Sequence, residues 1–155
     1  MREKHKHQMR IWAMLCHLSA LLAWILLFLL VFIGIPLYLP LNIVVPLIMW
    51  RSQKSQYAWV DFQGRESLNF QLSLTLYTLF SIVLSLLLVL TSCGIAVTTQ
   101  GGINEVGKVL DSLLFIWMLL ITALLLWQLF LVPFAAIKAY NGEYYRYPLT
   151  MRVLR

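Results

Sequence analysis

IPLYLPLNIVVPLIMW, residues 35–50, decides how many times this chain crosses a membrane. Its roughly 16 apolar positions fall slightly short of the ~20 that an upright helix needs to cover a hydrocarbon core of about 30 Å. Pro36, Pro40 and Pro46 each lack a backbone donor and crowd the preceding turn, so they kink or break a helix. Two readings stay open at this point, a short irregular span and a re-entrant segment. In both, backbone groups freed at membrane depth must be met by neighbouring elements, which places the stretch inside a bundle. Asn42 is one side chain able to meet them.

On the N-terminal side, residues 11–33 give about 23 uncharged, strongly apolar positions, enough for a full crossing. The preceding MREKHKHQMR is basic, but the apolar run exceeds the ~7–15 residues of a secretory signal and lacks its small-residue cleavage site. An uncleaved anchor is expected. On the C-terminal side, residues 68–90 and 112–136 supply two further spans. Between them, residues 91–111 hold four of the seven glycines and read as a loop, with Asp111 or Ser112 placed to cap the last span. Residues 51–67 mix Tyr57, Trp59, Val60 and Phe62 with Lys54, Asp61 and Arg65, the composition of a short helix lying in the membrane interface.

Composition sets the class independently. Of 155 residues, 61% are hydrophobic and 12% charged, against about half and about a quarter in soluble domains. The net charge of +6 comes from basic residues flanking apolar runs, so it reads as a topology signal and a source of contacts with anionic lipid, and not as a nucleic-acid surface.

Charge argues for a second crossing here over a re-entrant stretch. Arg2, Lys4, Lys6 and Arg10 precede the first span; Arg51, Lys54 and Arg65 follow the second; Lys138, Arg146, Arg152 and Arg155 follow the last; residues 91–111 carry only Lys108. Positive-inside placement puts the first three groups in the cytoplasm, which requires residues 35–50 to cross. The expectation is an all-α polytopic transmembrane four-helix bundle, one integral membrane domain over 1–155. A short interfacial helix separates spans two and three, and both termini face the cytoplasm of a bacterial inner membrane. Cys16 and Cys93 then lie near opposite faces, and a disulfide within one chain, which needs Cα atoms within about 7 Å, is excluded.

HLSALL (17–22), NIVVPLIMW (42–50), VDFQGRESLNFQLSL (60–74) and AAIKAYNGEYYRYPLTMR (135–152) together resemble the Tic-twenty-like family of small bacterial membrane proteins, the NFQ and NGEYYRYP blocks being the specific parts. The resemblance covers most of the chain. It implies four helices and a distant relationship to a chloroplast inner-envelope component of protein import, without establishing a bacterial activity. The glycine-rich 91–111 segment has no counterpart in that pattern.

Candidate functional positions fall into two groups. Within the spans, Gln71, Thr75, Thr78, Ser81 and Ser85 share about 120° of arc at 100° per residue, with Asn69 and Ser73 opposite. Such a stripe either lines a polar path or lets helices pack and hydrogen-bond. His17 and Asn42 are the polar positions of the first two spans. An ionisable group at that depth is a functional candidate, although a neutral imidazole can simply bond a neighbouring helix. The HKH at 5–7 is too little to build a metal site.

Near the cytoplasmic face, Asp61, Arg65, Glu66, Lys138, Asn141, Gly142, Tyr145, Arg146 and Pro148 form a candidate interface. Asp61 and Glu66 have no nucleophile or metal ligand beside them, and their expected partners are Arg65, Lys138 or Arg146. Asn141 and Gly142 read as a helix stop, Pro148 blocks resumption, and the tyrosines of NGEYYRYP anchor a turn among the headgroups.

There is no GxxxxGK[ST], HExxH, CxxC or GxSxG, so no enzymatic activity, metal or cofactor is expected. The leading expectation is a non-catalytic helix-packing module in membrane protein assembly or handling, whose partners are the lipid bilayer and either further copies of itself or other membrane proteins. A small oligomeric channel or transporter component is the alternative, and an intramembrane or lipid-modifying enzyme the third reading.

Overall fold

The structure is a computed structural model that describes residues 2–33, 41–98 and 103–154. Every regular element among them is helical: α1 (Arg2–Phe32), α2 (Leu41–Gln53), α3 (Ala58–Thr98) and α4 (Ile103–Asn141). Three of the four, over Glu3–Leu26, Ala58–Ile95 and Val106–Asn141, are long and apolar enough to cross a membrane. α2 has 13 residues, about 20 Å at 1.5 Å per residue, and carries a buried Pro46 at its sixth position. Part of the 35–50 stretch, residues 35–40, lies outside the described residues.

Two expectations fail. The 51–67 segment holds no separate interfacial helix: its first residues end α2, a turn follows in which Tyr57 N–H reaches Gln53 O at 3.3 Å, and α3 runs unbroken from Ala58 into the apolar stretch. Within it, Asp61 accepts from Trp50 of α2 and Trp59 donates to α4, so both serve helix–helix contacts. The 91–111 segment is not a long loop, since α3 continues to Thr98 and α4 begins at Ile103. Ser112 accordingly caps nothing; its hydroxyl bonds Lys108 O at 2.8 Å in mid-helix. Gly94 and Gly107 face open space, so these glycines cost helix stability, about 1 kcal/mol each relative to alanine, without breaking the helices.

The chain divides into two compact units, residues 1–74 with 128–155, and residues 75–127. In the first, α1 buries one stripe of small and polar residues, Ala13, Cys16, His17, Ala20 and Ala23, and α4 buries Gln128, Val132, Ala135, Ala136 and Ala139. Small residues at this spacing let helix backbones approach closely where lipid supplies little hydrophobic drive. The opening turns of α3 are buried on every side, Val60, Gln63, Ser67, Leu68, Asn69, Phe70, Gln71 and Ser73 among them. α2 meets α3 through Gly64, where a methyl group would overlap the Trp50 ring, only 2.8 Å from Cγ. Trp50 Nε1 then donates to Asp61 Oδ1 at 3.0 Å.

One end of this unit gathers three parts of the chain. His5 lies 4.9 Å from Tyr57 and His7 6.0 Å from Tyr140, and the Arg10 guanidinium sits over Gly142. α2 therefore returns towards the N-terminal end of α1, and α4 ends where α3 begins. Trp59 Nε1 closes the arrangement by donating to Ala139 O at 3.3 Å, one of the last-turn carbonyls that a helix leaves without an internal partner.

In the second unit, the hydroxyls turn back on their own helix: Ser81 to Tyr77 O and Ser85 to Ser81 O, each at 2.9 Å. Trp117 Nε1 bonds Ser85 Oγ at 2.9 Å, joining α4 to α3 within the unit. The outward side chains are apolar, with Phe80 69% and Met118 70% exposed. A surface this apolar is stable only against lipid or another apolar surface.

Candidate functional site

The polar residues of the first unit converge on an extended strip, Glu143–Leu154, which carries no helix. The strip leaves α4 through the local chemistry that Asn141 and Gly142 promise. Gly142 has φ 83°, its N–H bonds Ala139 O at 3.2 Å and Glu143 N–H bonds Lys138 O at 2.9 Å. This pair of bonds is the Schellman arrangement that satisfies the final carbonyls of a helix. The Lys138 ammonium also pairs with the Glu143 carboxylate.

Beyond that turn, backbone without helical partners must find others if it is to lie against apolar helices. An asparagine amide can replace a peptide group, having two donors and a two-lone-pair acceptor. Asn69 does so: Nδ2 donates to Leu154 O at 3.0 Å, while Oδ1 accepts Val153 N–H at 3.1 Å and Leu154 N–H at 2.8 Å. One helical turn further, Ser73 Oγ accepts Met151 N–H at 2.8 Å and donates to Asn69 O at 2.7 Å. Nearer α4, Gln63 Nε2 donates to Glu143 O at 3.1 Å, and Tyr147 N–H is hydrogen-bonded to the Glu66 carboxylate.

His17 is fully buried between α3 and this strip. Its Nε2 lies 3.0 Å from Gln63 Oε1 and its Nδ1 2.9 Å from Tyr147 Oη. Because the Gln63 amide nitrogen is committed to Glu143 O, its Oε1 must accept. Nε2 of a neutral His17 is then the donor, and Nδ1 accepts from the Tyr147 hydroxyl. In the chain Tyr147→His17→Gln63→Glu143 both imidazole nitrogens are hydrogen-bonded within the protein. The Tyr147 ring stacks on Phe70, centroids 4.2 Å apart and 11° from parallel. Burial drives its hydroxyl well above the ordinary value of 10.0, with the charges of Tyr145 and Glu66 adding to the effect. Burial raises Tyr145 as well.

The remaining candidates scatter. Asn42 Nδ2 reaches Gln71 Oε1 at 3.4 Å, a long bond between α2 and α3. Thr75 is exposed and Thr78 half-buried in the second unit, and Ser85 receives Trp117. Asp61 pairs with Arg65 one turn along α3 at 2.9 Å, so that ion pair does not bridge segments. Pro148 and Leu149 form the turn in the strip, Leu149 at φ 57°, with Thr150 Oγ1 bonding Tyr147 O at 3.1 Å. Tyr147 is 4% exposed, buried against His17 and not anchored among headgroups, whereas Tyr144 is exposed and T-shaped against Trp59 at 4.7 Å. Cys16 and Cys93 are both free. Among the described residues, no group of three or more His, Cys, Asp or Glu is placed to hold a metal.

Gln63 is the member that sequence reasoning does not single out, and Ser73 and Tyr147 are read there for helix packing and headgroup anchoring, not for holding the strip. Their available signal was the density of amides and hydroxyls between Gln63 and Ser73, unusual for a lipid-facing helix.

A family model, that of the magnetosome magnetite crystal formation proteins MamF and MmsF, matches residues 8–154. No curated protein and no solved structure matches the chain. The match corrects the Tic-twenty-like resemblance: the two are different families, and the import relationship falls with it.

Proposed function

The chain belongs to the magnetosome magnetite crystal formation protein family, and we propose that it is a non-catalytic, multi-pass membrane component that contributes to crystal formation by helix packing, not by chemistry or conduction. The observation that carries this reading is the commitment of one set of buried polar groups. His17, Gln63, Asn69 and Ser73 bond the Glu143–Leu154 strip, and Ser81 and Ser85 bond their own helix. A conduit would need such groups turned towards water.

The proposed topology is four crossings with both termini on the cytoplasmic side. In support, the basic N-terminal segment, the α2–α3 turn and the end of α4 meet at one end of the first unit, as positive-inside placement asks. Self-association, or contact with other membrane proteins, would use the apolar outward faces. A reporter fused at Ser55 tests the topology, and an extracytoplasmic signal there would reverse everything downstream.

The functional test is replacement of the chain, in a magnetite-forming host, by a variant combining Asn69→Ala and Ser73→Ala. The expected result is crystals altered in size or number while the protein stays in the membrane fraction. Unaltered crystals, with the strip shown by proteolysis to be detached, would reject the reading.

A further inference from the structure

Beside the docked strip lies a cleft of about 420 Å³ lined by Phe62, Arg65, Glu66, Arg146, Arg152 and Leu154. Three guanidiniums share it with a single carboxylate. Arg65 is engaged, its Nη2 pairing with Asp61 at 2.9 Å and its Nε bonding Asp61 O at 3.4 Å. Arg146 and Arg152 act electrostatically on Glu66, but neither is a member of the Arg65–Asp61 or the Lys138–Glu143 ion pair. Both are exposed, so their guanidinium forks are open to an anionic partner. Glu66 is 7% exposed, and its Oε2 is buried with no hydrogen-bond partner.

A group that completes this cleft must therefore bring two things together. It must present several anionic oxygens to the arginines, for which planar guanidinium forks are the matched receptor, and a hydrogen-bond donor to Glu66 Oε2, since a buried acceptor without a donor is costly. A phosphate group bearing or adjoining a hydroxyl satisfies both. Phe62 and Leu154 add apolar wall to the same cleft, and Glu66 precedes the uncharged run of α3 by only a few residues, the level at which headgroup meets hydrocarbon. From these side chains we infer that the cleft is a phosphate site taking a hydroxyl-bearing phosphate, either the headgroup of an anionic phospholipid or a free phosphate. The inference rests on the cleft and not on the role in crystal formation.

The test uses the full chain purified in detergent and offered an equimolar mixture of phosphatidylglycerol, which has both phosphate and hydroxyls, and phosphatidylcholine, which has phosphate but no donor. Native mass spectrometry counts bound lipid. The wild type should retain phosphatidylglycerol over phosphatidylcholine by about tenfold or more, the scale of one charge-assisted hydrogen bond. Arg146→Gln with Arg152→Gln should bring the ratio to near parity. Lys4→Gln with Lys54→Gln, which removes exposed charge elsewhere, should leave it unchanged.

If the glutamine pair does not fold, Arg146→Lys with Arg152→Lys keeps the charge and removes the forks, and should still lower the ratio. A parallel arm adds inorganic phosphate alone and follows the melting temperature. A rise in the wild type that the cleft variants lose, without lipid preference, identifies free phosphate as the source. The proposal is overturned if the wild type shows neither lipid preference nor a phosphate-dependent rise, or if either effect survives the cleft variants.

Discussion

Substitution Asn69→Ala isolates the energetics of the docked strip. The side chain makes three bonds to main chain, to Leu154 O, Val153 N and Leu154 N, at 2.8 to 3.1 Å. A net hydrogen bond contributes about 1 kcal/mol in proteins generally and about 0.6 kcal/mol on average between membrane helices. Three together give about 2–3 kcal/mol, which at 1.4 kcal/mol per factor of ten is a roughly 30- to 140-fold change in the opening equilibrium. The lost side chain creates little apolar cavity, so the effect falls on the strip and not on the helices. Hydrogen exchange in detergent should show amide protection at Val153 and Leu154 reduced by that factor, with the amides of α3 and α4 unaffected. Trypsin should cut after Arg146 and Arg152 correspondingly faster. Ser81→Ala, which removes a hydroxyl bonded only to its own helix, should change neither. Protection at Val153 and Leu154 equal to wild type in Asn69→Ala would refute the docking role.

Other perturbations address separate parts of the same unit. Gly64→Ala places a methyl against Trp50; overpacking of this kind costs about 1–3 kcal/mol, and the melting temperature should fall by about 2–4 °C per kcal/mol. In a Trp50→Ala background the same change should be nearly neutral, and equal losses in both backgrounds would contradict the close contact. Gly142→Ala forces a side chain into the left-handed region at φ 83° and should cost about 1 kcal/mol in thermal melts, with Gly142→Asn costing less. Tyr147→Phe leaves His17 Nδ1 without its donor, a loss of about 1–3 kcal/mol.

Tyr147→Phe also carries a pH signature. The folded Tyr147 hydroxyl titrates above its ordinary value of 10.0, so the unfolded chain releases that proton first as pH rises. The associated stability is complete below about pH 10 and declines above it, by up to about 1.4 kcal/mol per pH unit until the folded group also ionises. Melting temperatures measured on both sides of that point should fall more steeply in the wild type than in Tyr147→Phe. Parallel slopes would count against burial of this hydroxyl.

What the sequence exposes is whatever rests on local chemistry. Uncharged runs locate α1, α3 and α4, because lipid exposure excludes charge for the length of a crossing. Asn141 and Gly142 announce the end of α4, because few residues adopt positive φ and glycine does so freely. Where local chemistry misleads, tertiary packing has the deciding role. Glycines over 91–111 suggest a loop, yet Gly94 and Gly107 sit in helices whose internal hydrogen bonds outweigh the propensity cost. Aromatic and charged residues over 51–67 suggest an interfacial helix, yet Trp50, Trp59 and Asp61 bond across helices. His17 and Asn69 are visible as polar groups in apolar surroundings. Their partners are not, because a bond between a side chain and the main chain 85 residues away leaves no periodicity in the sequence.

The manner in which Asn69 holds Val153 and Leu154 constrains the two sides unequally. The amide addresses peptide groups that every residue except proline presents alike, so the exposed side chain at 153 is open to replacement while position 69 tolerates almost none. A survey of variants should find freedom at 153 facing near-immobility on the helix, and a proline at 153 standing out as the one harmful change among many silent ones.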